Sequence, residues 1–216
     1  PEAKKGPKPY NKVIDTTAVT QKGLIDIHKM DAKYLFEIPV SLLDTEIMTI
    51  TRFSKTPAGG GIFGGEEVNR QVIQFEKGLN NTLLLRSISY VIISPDEDKP
   101  LAKAVKNSSA NPIIGNYDIL AINKDKDGKE SGYVIDMTPT FDGDVQTFSL
   151  DPVKKQTLSI QAFQKEKSFI QKISSFPINT EIRTVKTYST VPVLLSLNPT
   201  PKIGTNLPAG DRKSVV

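Results

Sequence analysis

Apolar and polar positions alternate with a period of two over much of the chain. Ile25 and Ile27 alternate with Asp26 and His28, and Tyr34, Phe36 and Ile38 alternate with Leu35 and Glu37. That period is the mark of a half-buried strand, with one face in a core and one in water. Further strands are predicted over residues 46–53, 71–76, 82–87, 90–94, 117–123 and 133–138, and late in the chain over 168–173, 181–188 and 191–195. These segments are short, β-branched and aromatic, and clusters of Gly, Pro, Asn and Asp separate them. The spacing predicts a mainly β fold of antiparallel sheets, α+β only in minor part, rather than βαβ units.

One or two short helices are expected. Asp98 caps a segment with Pro100 in its first turn, Leu101, Ala104 and Val105 on one face, and Asn107 near its end. A single turn follows Pro39 through residues 40–43. Phe169, Ile173 and Phe176 also fit i, i+4, i+7, so periodicity leaves strand and helix open there. Residues 57–65 hold five glycines (59, 60, 61, 64 and 65) and form the one strong compositional break. Residues 123–132 read as a polar hairpin turn. The organisation expected is a basic linker over 1–12, a small N-terminal β unit over 13–56, the glycine loop over 57–65, a main β-rich domain over 66–197 and an extended C-terminal connection over 198–216. A single domain across the same span is the other reading.

Composition narrows the chemistry. The 216 residues contain no Cys, no Trp and one His. A disulfide scaffold, a thiolate nucleophile, a Cys-ligated zinc and a two-His centre are therefore excluded within this chain. The net charge is +4, but Lys4, Lys5, Lys8 and Lys12 against Glu2 give residues 1–12 an excess of three positive charges. The remainder is nearly neutral, so a solvated tail is expected in place of a nucleic-acid arm or a membrane anchor. No apolar run reaches the ~18–20 residues of a membrane span. The first residue is Pro, not Met, and an upstream segment is expected.

Several motifs resemble sites without their context. Gly59-Gly60-Gly61-Ile62-Phe63-Gly64 matches G-x-G-x-x-G, yet Glu66 and Glu67 follow it and would repel a pyrophosphate. It reads as a mobile loop whose Phe63 is a candidate docking knob. Asn123, Asp125, Asp127 and Gly128 match half of a calcium loop, but its twelfth position is Val134 instead of Glu. Asp142-Gly143-Asp144 is a second acidic turn. His28 lies on the polar side of its strand, with no second His or Cys to complete a catalytic or metal set. Asn80 and Asn107 match glycosylation sequons by chance. No catalytic and no metal-ligating residue is assigned, and no cofactor is expected in this chain.

A series of phrases goes beyond generic strand chemistry. These are Pro9-Tyr10-Asn11-Lys12-Val13-Ile14, Gly23-Leu24-Ile25-Asp26-Ile27-His28-Lys29 and Tyr34-Leu35-Phe36-Glu37-Ile38-Pro39. Then come Ile47-Met48-Thr49-Ile50-Thr51-Arg52-Phe53-Ser54-Lys55-Thr56 and Gly65-Glu66-Glu67-Val68-Asn69-Arg70-Gln71-Val72-Ile73-Gln74-Phe75-Glu76. Tyr133-Val134-Ile135-Asp136-Met137-Thr138, Ser168-Phe169-Ile170 and Phe176-Pro177-Ile178-Asn179 complete the series. In order and content they resemble the N-terminal non-catalytic region of large exported bacterial zinc-dependent metalloproteases, a region of two adjoining domains of unknown function. The resemblance implies a catalytic domain downstream in the same polypeptide, with zinc on an H-E-x-x-H motif extended by a third His and the Glu as general base. None of those residues has a counterpart here.

The resemblance implies an accessory domain that packs against the catalytic domain, with three roles open: a β platform that shapes one wall of the cleft, a pro-region that regulates it by latency, or a recruiter of substrate or cell surface. Export to the periplasm or cell surface is implied by the family alone. Latency through a thiolate is excluded by the lack of Cys, which leaves a carboxylate switch at Glu66 or Glu67. The positions expected to make interdomain or regulatory contacts are Phe63, Glu66 and Glu67. The alternative is an independent surface or periplasmic binding module for peptide or glycan. A stand-alone enzyme is the third and weakest reading, because His and Cys chemistry is so thin.

Overall fold

The alternating segments between residues 26 and 38 fold into a hairpin on which the rest of the first unit is built. The structure is a computed structural model that describes residues 6–56, 62–89 and 110–190, with the backbone alone for 211–215. Strands β1 (Val19–Gln21), β2 (Asp26–Met30) and β3 (Lys33–Pro39) form an antiparallel meander. Asp31 takes a left-handed φ of 51° at the β2–β3 turn, a conformation Asp tolerates better than most residues. Strand β3 also pairs with β9 (Glu130–Asp136), and β9 with β8 (Ala121–Lys124), so the sheet order is β1-β2-β3-β9-β8.

The two inner strands depart from simple alternation. Residues 35–38 of β3 and 132–135 of β9 are buried without interruption. Burial on both faces requires a cover on each. One cover is the N-terminal segment: Tyr10, Val13 and Ile14, with Met30 and Leu120, pack on buried Leu35, Ala121 and Val134. Helix α1 (Tyr10–Val13) lies in that segment, and the Lys8 N–H donates to the Leu120 carbonyl at 2.9 Å. The solvated tail expected over 1–12 therefore does not extend through residues 8–12; residues 1–5 lie outside the described residues. The apolar payload of Tyr10, Val13 and Ile14 outweighs the solvation of Lys8 and Lys12, whose side chains remain exposed.

The same unit holds part of β4 (Glu46–Lys55), most of β5 (Glu67–Lys77), β6 (Thr82–Ile88) and β7 (Ile113–Asp118). Strands β5, β6 and β7 are antiparallel neighbours. Asn80 and Asn81, both at positive φ, turn β5 into β6. The segment expected as one strand over 117–123 is two. Ile119 and Leu120 carry the chain from β7 to β8, and the Ile119 N–H turns to the Asn81 carbonyl while that of Leu120 turns to Val134. An unbroken apolar run conceals such a change of sheet. Lys77 on β5 reaches Glu130 at 3.0 Å and Tyr133 at 2.9 Å on β9.

The second unit comprises residues 50–69, 139–173 and 181–216, so the two units interleave along the chain. Its strands are β10 (Ile160–Phe163), most of β11 (Phe169–Ser175) and of β12 (Thr180–Thr190), β13 (Asp211–Val215) and the second half of β4. β12 pairs with β10, β11 and β13, and β13 pairs with β4. Phe53, Val68, Leu150 and Tyr188 form the core, with Ile62, Leu158, Ile160 and Phe163 packed on it. Helix α2 (Thr138–Asp142) begins at the boundary of this unit and α3 (Pro152–Thr157) lies within it. Asp151 caps α3 by accepting from the Lys154 N–H at 2.7 Å, with Pro152 at the first helical position.

The fold is mainly β, with antiparallel strand pairing and short helices. Residues 169–175 are strand, not helix, and the turn after Pro39 is a 3-10 turn over Val40–Leu42. The segments α1, α2, α3, β1 and β10 fall outside the expected elements, and so does β13, inside the expected C-terminal connection. The expected helix at 98–107 and the strands at 90–94 and 191–195 lie outside the described residues.

Leu85, on β6, is completely buried, whereas Leu79 in the preceding turn is 85% exposed. Leu85→Ala is expected to cost about 2–5 kcal/mol in urea unfolding with an unchanged m value. Leu79→Ala is expected to stay within about 0.5 kcal/mol.

Candidate functional site

The register of the five-stranded sheet places a row of polar side chains on one of its faces. Thr20 pairs with His28, and His28 with Leu35. Glu37 lies two residues beyond Leu35 and so shares its face, diagonal to His28. Asn123 pairs with Gly132, which pairs with Pro39, and this puts Asn123 on that face too. The α1 cover then lowers Tyr10 onto it.

These residues form one hydrogen-bonded network. Glu37 Oε2 accepts from Tyr10 Oη at 2.6 Å and lies 3.1 Å from His28 Nε2. Glu37 Oε1 accepts from Asn123 Nδ2 at 2.6 Å. His28 Nδ1 lies 2.8 Å from Thr20 Oγ1. His28, expected on a polar face, is only 2% exposed. Glu37 reaches Asn123 by passing over Gly132. A methyl group there would stand 2.8 Å from Glu37 Oε1 and 2.9 Å from its Cγ, so glycine at 132 leaves the space that the carboxylate fills.

Burial pushes the Glu37 carboxyl up, but hydrogen bonds from His28, Tyr10 and Asn123 outweigh it and hold the group below the ordinary carboxylate value. Burial and the Glu37 carboxylate both raise the Tyr10 hydroxyl. Hydroxyl, imidazole and carboxylate stand here in the order of a catalytic triad. Burial and the further donors on Glu37 tie the set into the packing of the unit. Both ring nitrogens of His28 are engaged, and both oxygens of Glu37 hold donors from α1 and β8. The network fastens the N-terminal segment to the sheet.

A second polar cluster lies within the other unit. Lys186 and Tyr188 project from the same face of β12. Tyr188 Oη donates to Asp144 Oδ1 at 2.7 Å, and Lys155 on α3 reaches Asp144 Oδ2 at 2.6 Å. Lys165 pairs with Asp142, and Lys186 Nζ donates to the Gly143 carbonyl. Burial lowers the Lys186 pKa to about 8 against the attraction of Asp144 and Asp142, and Lys155 and Lys165 push the same way as burial. Burial also raises the Asp144 carboxyl, but the bonds from Lys155 and Tyr188 prevail and hold it low. The acidic turn at 142–144 is thus the partner of lysines.

The three positions expected to make regulatory contacts stand together at one loop. Phe63 is 72% exposed. Its N–H donates to Glu66 Oε1 at 2.8 Å, and Glu67 lies 3.4 Å from Arg52 Nη2. The residues at 59–61 of the glycine motif lie outside the described residues. In the calcium-like turn, Asp125 Oδ1 accepts from the Asp127 and Lys129 N–H groups at 2.9 Å each, and Gly128 takes a φ of 79°. That carboxylate builds the β8–β9 hairpin. Among the described residues no group of three or more His, Asp or Glu is arranged to hold a metal ion.

Two family models match the chain. One, described as a domain of unknown function (DUF5118), covers residues 7–56. The other, described as a domain of unknown function (DUF5117), covers residues 65–210, more than half of the sequence. The chain belongs to the DUF5117 family. Its N-terminal part, which carries Tyr10, Thr20, His28 and Glu37, falls in the DUF5118 match, and Asn123 falls in the DUF5117 match. The Glu37 network therefore joins residues of both matched segments. No curated protein and no solved structure matches the chain. No helix among the described residues is long and apolar enough to cross a membrane.

The sequence alone assigns no site role to Tyr10, Thr20 or Glu37, and places Asn123 in a calcium-like turn and not beside a carboxylate. A signal existed for one pair. A two-residue turn at Asp31 and Ala32 sets His28 opposite Leu35, and a carboxylate two residues on, inside an apolar strand, needs a donor such as that imidazole.

Two pH responses follow. Glu37 has a lowered native pKa, so its contribution is complete above the ordinary value of 4.5 and is lost as the pH falls through the native one. Glu37→Gln is expected to cost about 1.5–3 kcal/mol at neutral pH and to flatten the acid limb of stability measured by urea unfolding. Lys186 behaves oppositely. Between about 8 and its ordinary 10.5 the unfolded chain binds more protons than the native one, so stability rises with pH there. The difference in unfolding free energy between the native chain and Lys186→Met is expected to shift in favour of the native chain across that window.

Proposed function

We propose that this chain is the non-catalytic accessory region of a zinc-dependent metalloprotease, packing against a catalytic domain downstream in the same polypeptide and regulating it. The observation that carries the reading is the ordered series of phrases from Pro9 to Asn179 that resembles the N-terminal region of such exported proteases. The structure is compatible with a non-catalytic role. The one imidazole of the chain is buried, with both nitrogens engaged inside the fold. Zinc and the general base belong, on this proposal, to the downstream domain.

Phe63 is the contact that the geometry favours. An exposed aromatic ring on a loop tip brings a large apolar area to an interface at low entropic cost. Glu66 holds that tip through the Phe63 N–H, and Glu67 faces Arg52, so both carboxylates already have partners. They shape the loop; the ring makes the contact.

The reading frame beyond Val216 is expected to encode H-E-x-x-H followed by a third His, and a stop codon soon after Val216 overturns the proposal. In the full-length protein, Phe63→Asp is expected to change proteolytic activity, whereas Glu66→Gln with Glu67→Gln leaves it near the native level. Native activity in Phe63→Asp removes Phe63 from the interface.

A further inference from the structure

The N-terminal segment that Glu37 fastens to the sheet leaves an open groove beside it. The groove has a volume of about 720 Å³ and lies within the first unit, against α1, the β2–β3 turn and the β7–β8 link. Its floor includes Val13, Met30, Leu35 and Leu120, part of the apolar cluster under α1. Lys8, Lys12 and Lys33 stand on its walls with exposed side chains.

We propose that this groove binds a small anionic amphiphile, with an acyl chain along the apolar floor and a single carboxylate among the lysines. The volume lies in the range of about 300–1,000 Å³ usual for small-ligand sites, and the lining sets an apolar floor beneath three lysines and two aspartates. Charge complementarity sets the sign of the head group. Among the described residues Lys8 and Lys12 form no ion pair, and Lys33 makes only a long, exposed contact of 3.7 Å with Asp136. Asp31 and Asp118 also border the groove, which favours one compact carboxylate near Lys8 and Lys12 over a polyanion.

The main chain argues against a peptide strand as the occupant. Such a strand recruits free backbone donors and acceptors at a sheet edge. Here the Lys8 N–H is bound to Leu120 and the Leu120 N–H to Val134. What the floor offers is apolar area, which rewards a flexible hydrocarbon tail by burial alone. This inference stands on the groove and is independent of a protease parent.

The test uses the full chain with decanoate, decyltrimethylammonium and butyrate as probes, read by calorimetry and by the Met30 methyl resonance. Decanoate is expected to saturate and to shift Met30. Decyltrimethylammonium, with the same tail and the opposite head, and butyrate, with the same head and a short tail, are expected to bind about tenfold more weakly or worse. Lys8→Glu with Lys12→Glu is expected to reverse the preference between the two ten-carbon probes. Lys12→Gln alone, a milder change, is expected to weaken decanoate without altering the circular dichroism spectrum. Equal affinity for both heads, or decanoate shifts that spare Met30, overturns the proposal. So does an acidic apolar peptide that binds more tightly than decanoate, which assigns the groove to a protein partner.

Discussion

An ionised carboxylate held away from water must be met by donors, and in the first unit that demand falls on Glu37. The effective cost of burying such a charge is several kcal/mol, and each hydrogen bond to a charged group returns about 1.5–3 kcal/mol. Three donors are enough to keep Glu37 ionised, as its lowered pKa records. Each donor brings a structural requirement with it. Tyr10 demands that the N-terminal segment lie across the sheet. His28 demands the β2–β3 register that makes it a diagonal neighbour. Asn123 demands that β9 carry no side chain at Gly132. The position of α1, the pairing of β3 with β9 and the location of β8 are thus tied to one side chain.

The second unit solves a similar problem less completely. Asp144 receives Lys155 and Tyr188, much as Glu37 receives its donors. Lys186, deeper still, is given a backbone carbonyl and the field of two aspartates, while two other lysines oppose it. A carbonyl dipole compensates an ammonium less well than a carboxylate at hydrogen-bond distance. The result is a buried cation whose pKa falls while the Glu37 carboxylate stays charged. Both clusters tie distant segments together, one around a buried anion and the other around a buried cation.

Much of the β architecture is legible in the sequence because a period of two is a local signal. Segments near β2 to β6, β9, β11 and β12 announce themselves in runs of a few residues. What escapes is what depends on a second surface. Residues 8–13 read as a basic tail because Lys8 and Lys12 continue the run of Lys4 and Lys5 through a Pro-bearing stretch; only a sheet with Leu35 and Val134 exposed on that face makes Tyr10 and Val13 valuable. The break at Ile119 and Leu120 escapes because both sides are apolar. The polar network escapes in the same way, since Thr20, Glu37 and Asn123 are ordinary strand residues until pairing aligns them. Asp151-Pro152 at the start of α3 is different: cap and first-turn proline form a local signal, and this helix lies outside the expected elements although two residues mark its start.

The placement of the polar groups bears on where function can lie. For His28 to serve as a base toward an outside molecule, it would have to leave Thr20 or Glu37, and leaving Glu37 would strip a buried carboxylate of a donor while its other donors hold α1 in place. Catalysis would then carry the cost of loosening the face that organises the unit. A docking surface carries no such cost. The Phe63 tip is already exposed and shaped by Glu66, and the groove lies open beside the segment that Tyr10 fastens. The interaction that occupies the imidazole is therefore the same one that fastens one wall of the groove, and pre-organisation of that wall lowers the ordering cost of anything that binds against it.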